Sequence, residues 1–261
     1  EISYYYWNFK DPVFGGLSKE KIALRRAIAM SHNVQEEIKV VWNGEAVPLE
    51  YPIPPGVVGH DPDYKASVRF DPAAANALLD KFGYKKGKDG WRTLPDGKPL
   101  VLKYSARADG NGQQLMEIWK KSLDGIGIRM EGDRRPFPEL LKAEKQCQLV
   151  SRTNPWIADY PDGDNFMQLF YGPNVGQNNN GCVQIPEYDV LYAQTQKLPP
   201  GPERDALYHK MARIMEVYSA QRIGYARYRN MLAQPRVIGF KKHPILHAEW
   251  MHIDIEKRQA K

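Results

Sequence analysis

The sequence predicts an α/β fold built on a mixed sheet, and three observations carry that prediction. Short runs rich in Tyr, Trp, Val and Ile alternate along the chain with stretches of helical period, as in layered strands and helices. Capping residues and glycine stops bracket those stretches again and again. No internal repeat or low-complexity tract breaks the alternation.

Taken in order, residues 1–10, with Tyr4, Tyr5, Tyr6 and Trp7, read as a packed strand, and 10–16 as a loop. Ser18 to Met30 reads as a helix with Ser18 as N-cap and Glu20 in the first turn. The stretch 47–64 holds Pro48, Pro52, Pro54, Pro55 and Pro62 with Gly56 and Gly59, and is expected to run as an extended surface segment. At Asp71-Pro72 the signals for a helix are clearest. Asp caps, Pro takes the first helical position, Ala73 to Phe82 propagates, and Gly83 stops it. Residues 91–93 and 100–104 are predicted as strands joined through Pro95-Asp96-Gly97 in a hairpin. A helix over 112–124 places Leu115, Ile118, Trp119 and Leu123 on one face and ends at Gly125, before a strand over 126–130. A short helix opens at Pro138, and 146–151 reads as a strand. Asn178 to Gly181 is a turn, helices follow over 186–198 and 202–218, and strands over 222–228 and 236–240 precede a tail with Lys and His.

A chain of 261 residues, 42% hydrophobic, can bury a sizeable core in one or two domains. No apolar run approaches the roughly 18 residues of a membrane helix. The chain opens directly in a strand without Met or leader, so a fragment, or a form with its beginning removed, is expected. Its net charge of +6 raises nucleic acid as a partner. Against that, the basic residues are spread among 31 acids, and the densest clusters, Lys85-Lys86-Gly87-Lys88 and Arg134-Arg135, are short. No nucleic acid partner is expected. Cys147 and Cys182 cannot form a CxxC metal site. They are either one bridge, closing a loop of about 35 residues, or two buried thiols. His32, His60, His209 and His252 lack ligand spacing; His243 and His247 are four apart, but Pro244 keeps that segment from being a regular helix interior, and all six read as surface histidines.

The stretch Asn154 to Phe166 concentrates the chemistry. It places Trp156, Tyr160, Asp159, Asp162 and Asp164 among Pro155, Pro161 and Gly163, which marks a loop. Aromatics beside clustered carboxylates suit a polar ligand with a cationic group and an apolar body. Asp162 and Asp164 also fit Asx turns or a helix N-cap. Two carboxylates could serve a glycosidase, and three could ligate calcium. However, catalytic carboxylates ordinarily come from separate elements, and the regular alternation of a calcium loop is missing. No nucleophile triad or phosphate loop is recognisable, so no catalytic residue, metal or cofactor is assigned and an enzyme is not expected.

Several segments together resemble the periplasmic solute-binding proteins of peptide ABC transporters, the oligopeptide- and dipeptide-binding family. Leu24-Arg25-Arg26-Ala27-Ile28-Ala29-Met30 is similar to that family's hinge-proximal helix. Phe70 to Tyr84 is similar to its D-P-x-x-A-x-x-L-L-x-x-x-G-Y segment, and Trp156-Ile157-Ala158-Asp159-Tyr160-Pro161-Asp162 to its W-x-A-D-Y ligand loop. Ile185 to Leu191 and Val237 to Phe240 match two later motifs, in the family's order. Ser31-His32-Asn33, Gly163-Asp164 and Gly181 to Gln184 depart from the family pattern.

The resemblance implies a mixed-sheet lobe of a two-lobe periplasmic binding protein of type II. Residues 1–20 would be a hinge-proximal strand and loop, 21–230 the ligand-binding lobe, and 231–261 a tail returning toward an N-terminal lobe. The implied function is capture of a di- or oligopeptide by an exported, monomeric, periplasmic protein, with an ABC permease of the inner membrane as partner. Rival readings are a non-peptide solute (opine, sugar, metal complex) and a sensory or interaction module. Asp159 would pair with the ligand's α-amino group, and Trp156 and Tyr160 would shape a side-chain pocket. Asn154 and Asp162 complete the candidate ligand-binding set.

Overall fold

A computed structural model describes residues 1–242 and 249–256; His243 and His247 lie outside them. A six-stranded mixed sheet is sandwiched between two helical layers, in the strand order β2-β6-β1-β5-β3-β4. The strands are β1 Ile2–Trp7, β2 Ala46–Pro48, β3 Val101–Arg107, β4 Arg129–Arg135, β5 Ser151–Trp156 and β6 Gln221–Arg227. A separate two-stranded ribbon pairs β7 (Val237–Ile238) with β8 (Asp254–Ile255). Among the described residues no helix is long and apolar enough to cross a membrane.

The central strand explains the layering. Every residue of β1 is buried, and its two faces feed different cores, as the period of two requires. Tyr5 and Trp7 join the core formed with α1 (Lys19–Ser31), α2 (Val34–Val41), α3 (Pro72–Lys81) and α4 (Gly110–Gly125). Ile2, Tyr4 and Tyr6 join the core formed with α6 (Asp164–Met167), α7 (Pro186–Thr195) and α8 (Pro202–Val217). A further helix, α5 (Phe137–Lys145), leads toward β5. Its Glu144 forms a buried ion pair with Arg152 of β5 at 2.8 Å and accepts a bond from the Tyr6 hydroxyl.

The helix at 72 forms as its caps predict, with Asp71 Oδ1 accepting from Ala74 N at 2.8 Å. Other expectations are corrected. Asn33 caps α2, a helix the sequence reading missed. The turn at 94–97 closes a short antiparallel hairpin in which Thr93 pairs with Pro99 and Leu100 N donates to Arg92 O, but from Val101 onward β3 pairs in parallel with β4 instead. The strand expected at 126–130 begins only at Arg129, because Ile126 to Ile128 turn back on α4 through bonds to Leu123 and Asp124. The 47–64 stretch is irregular as expected but lies on the surface only in part, with Pro48, Pro55, Gly56 and Pro62 exposed. Tyr51, Pro52, Ile53, Pro54 and Tyr64 are buried in the α7–α8 core, a placement that prolines ease because they bring no N–H to satisfy. His32 is fully buried rather than superficial, stacked on Trp119 and bonded to Glu37 at 2.8 Å.

Cys147 and Cys182 form a disulfide with their Cα atoms 6.0 Å apart. It fixes the entry to β5. That strand runs 151–156, not 146–151, so Asn154, Pro155 and Trp156 belong to a strand and the loop begins after them. Pro155 is tolerated because β3 meets β5 only at Ser151, leaving that side of the later strand without a ladder to break.

Candidate functional site

Pairing sets one end of the sheet. Ile2 lies opposite Trp156, Ser3 opposite Tyr225, and Ala46 opposite Arg227. The parallel strands β3 and β4 end at Arg107 and Arg135 on the side where β5 ends. A cavity of about 120 Å³ opens there, lined among others by Tyr104, Arg107, Thr153, Pro155 and Tyr225. Arg107 is half exposed and pairs with Asp109 at 3.1 Å.

The loop after β5 presents its groups from a braced base. Val58 N donates to Pro161 O, and Gly163 N donates to Val58 O at 2.9 Å, so the 53–58 segment backs the loop. Glycine at 163 lets the two segments approach closely, since a Cβ there would lie 2.5 Å from the Ile53 Cδ1 methyl and 3.0 Å from the Val58 carbonyl. Asp162 takes Arg204 Nη2 at 2.6 Å and the amide of Asp164 at 3.0 Å, so its carboxylate is spent inside the fold. Asp164 accepts from the hydroxyls of Tyr160 and Tyr192 and from Gln196 Nε2, each at 2.6 Å. Burial, followed by the bond to Asp164, pushes the Tyr160 phenol up to about 12, so it stays a neutral donor.

Asp159 and Tyr160 are exposed at the loop's tip, Trp156 is half-buried, and Asn154 is buried within β5 opposite Tyr4. The structure therefore brings Trp156, Asp159 and Tyr160 together and turns Asn154 and Asp162 inward. The sequence reading missed Asn165. This fully buried residue accepts at Oδ1 from Trp156 Nε1 (3.0 Å) and from Asp159 N (3.2 Å), and its Nδ2 donates to Asp159 Oδ2 (3.1 Å). Its one local signal is a polar residue placed at the head of an otherwise apolar turn. Among the described residues no group of three or more His, Cys, Asp or Glu side chains could hold a metal ion.

This sheet, with helices on both faces and its loop cluster at one end, is the fold of one part of the two-lobe periplasmic peptide-binding proteins. The ABC transporter-associated periplasmic binding protein DppA of Helicobacter pylori, solved with the peptide STSA, superimposes with a TM-score of 0.84 at 21% identity. That match covers 98% of this chain and 47% of that one. The oligopeptide-binding protein AppA of Bacillus subtilis, solved with a nonapeptide, gives 0.86 at 16% identity over 98% of this chain and 51% of that one.

The chain belongs to the bacterial extracellular solute-binding proteins, family 5, whose middle-region model matches residues 1–178. Di/tripeptide-binding protein 2 of Pseudomonas aeruginosa is 30% identical over 164 residues, 62% of this chain and 27% of that protein. Oligopeptide-binding protein OppA of Bacillus subtilis is 28% identical over 179 residues, 68% of this chain and 32% of that protein. The chain thus spans about a third or less of these two relatives and about half of the two solved structures.

Proposed function

We propose that this chain is one lobe of an extracytoplasmic solute-binding protein that captures di- or oligopeptides and delivers them to the permease of an ABC importer. Asp159 is the observation that carries the reading. It is an exposed carboxylate, fixed in orientation by Asn165 and flanked by Trp156 and Tyr160. Such a group suits a peptide's terminal ammonium, through a charge-assisted bond that does not read side chains. Trp156 and Tyr160 supply apolar wall and ring surface for the first side chain. Arg107, at the cavity beside Pro155, adds a guanidinium suited to carboxylate or carbonyl oxygens of the same ligand.

Capture requires a second lobe to close over this end of the sheet, the hinge closure common to binding proteins. The tail supports a surface for that lobe: Leu232 is 98% exposed and Trp250 72%, more apolar area than a finished surface usually leaves. Relatives named for di- and tripeptides and for oligopeptides favour peptide as the ligand class, and the extracellular family and the periplasmic DppA neighbour favour the periplasm or cell exterior as the place of action.

The test is Asp159→Asn in the complete protein, titrated calorimetrically with trialanine. Loss of a charge-assisted bond of about 1.5–3 kcal/mol predicts an affinity lower by roughly tenfold to a hundredfold. Unchanged affinity in this variant would refute the assignment.

A further inference from the structure

Asn165 does not reach solvent, yet its side-chain amide uses both of its ends on the two groups that would meet the ligand. One oxygen takes the indole N–H of Trp156 and the backbone N–H of Asp159. The nitrogen holds one carboxylate oxygen of Asp159. An amide is the side chain that can do this, because it offers an acceptor and a donor on one rigid plane. A carboxylate in its place would face Asp159 with a second acceptor, and an apolar residue would leave a half-buried indole N–H without a partner.

We infer that Asn165 is a positioning residue for ligand capture, aiming Asp159 and Trp156 as one unit at a terminal ammonium group. The inference rests on the peptide reading above and deepens it, since it makes selectivity for a free amino terminus a property of the Asn165–Asp159 pair. With one oxygen of Asp159 held by Nδ2, the other is left for the ligand. The backbone bond to Asp159 N stops the loop from carrying the carboxylate out of line. The neighbouring residue acts alike, since Asp164 holds the hydroxyl of Tyr160, so the start of α6 sets Trp156, Asp159 and Tyr160 together.

The experiment compares Asn165→Ala, Asp159→Asn and the double variant in the complete protein, titrated with trialanine and with N-acetyl-trialanine. Asn165→Ala should lower trialanine affinity about tenfold, the worth of one hydrogen bond near a charge. The acetylated probe, which keeps the Trp156 contact but offers Asp159 no ammonium, should lose clearly less. On the Asp159→Asn background the same substitution should cost trialanine clearly less than it does in the wild type. Equal losses for both probes would show mere loosening of the fold and overturn the inference. So would a trialanine affinity that falls in Asp159→Asn but holds in Asn165→Ala, a result that leaves the peptide reading standing. If Asp159→Asn also leaves trialanine binding intact, both readings fall.

A second measurement needs no ligand. The Trp156 indole N–H, observed by NMR hydrogen exchange, should be protected in the wild type and exchange at least tenfold faster in Asn165→Ala. Equal exchange rates in the two proteins would overturn the positioning role by themselves.

Discussion

Removing the Cys147–Cys182 bridge should lower the stability of this chain by close to 4 kcal/mol. The bond spans a sequence separation of 35 residues. Chain-entropy treatment of a loop that long gives about 13 cal/mol/K of lost freedom in the unfolded chain, or about 3.8 kcal/mol at 25 °C. At about 2.1 cal/mol/K per residue, the 261-residue chain unfolds with roughly 550 cal/mol/K, so the shift in Tm should be about 7 °C. The native ends are also held without the bridge. Asn8 Nδ2 donates to Cys147 O at 2.6 Å, Cys147 N donates to Glu144 O at 3.0 Å, and Cys182 N donates to Asn179 O at 3.2 Å. Both residues keep positive φ, 55° and 50°, and serine in their places would carry the same backbone cost. The loss therefore falls on the unfolded state. Calorimetry of the Cys147→Ser/Cys182→Ser double variant, beside wild type with and without reductant, reads it directly. A fall under about 2 °C would refute the entropic account, because nothing in the folded state is there to compensate.

Two further perturbations test the interior. Arg152→Ala strands Glu144 in the core with Tyr6 as its remaining bonded partner, and should cost about 3–5 kcal/mol in urea unfolding; a cost under 1 kcal/mol would show that the pair is not buried in solution. Burial depresses the proton affinity of the His32 ring below its ordinary value of 6.5, against the opposing bond to Glu37. The folded state then binds fewer protons than the unfolded one, so stability falls as pH drops below 6.5, by at most about 1.4 kcal/mol per unit. His32→Asn should flatten that part of the difference between urea midpoints at pH 7.5 and 5.5, and identical slopes in the two proteins would mean that His32 does not titrate there.

What could be read in advance was local. Asp71, Pro72 and Gly83 state a helix within a dozen residues, and the helix is there with its cap bond made. The Trp156–Tyr160 cluster was legible because aromatics, carboxylates and prolines fall side by side. Beyond that, tertiary context decided. Pro155 argued for a loop, yet a one-sided ladder lets it stand in β5. β4 reads Arg-Met-Glu-Gly-Asp-Arg-Arg, with no apolar alternation, and is a strand because β3 pairs with it along its whole length at the sheet edge. The prolines of 47–64 point to exposure, which Pro48, Pro55 and Pro62 have, while Tyr51, Ile53 and Tyr64 among them have apolar surface to bury. His32 carries no local pattern and Asn165 only a polar residue heading an apolar turn, because their partners lie on other elements or across a fold in the loop.

The mixture of residues between Asn154 and Phe166 divides by direction. Asp162, Asp164 and Asn165 are each matched to donors or acceptors of the fold itself: Arg204, the phenols of Tyr160 and Tyr192 with Gln196, and the Trp156–Asp159 pair. Asp159, Tyr160 and part of Trp156 face outward on the base those contacts make. Clustered carboxylates on one loop would otherwise repel one another or gather a cation, and here two of the three are neutralised or saturated by the fold. A single carboxylate is left directed at solvent, and it is already ordered. Ordering a flexible side chain on binding costs about 0.5–1.5 kcal/mol, so a site that is set before its ligand arrives keeps that much more of each contact as affinity. The polar residues that looked like candidate ligand contacts are thus mostly the reason that one of them can serve as such.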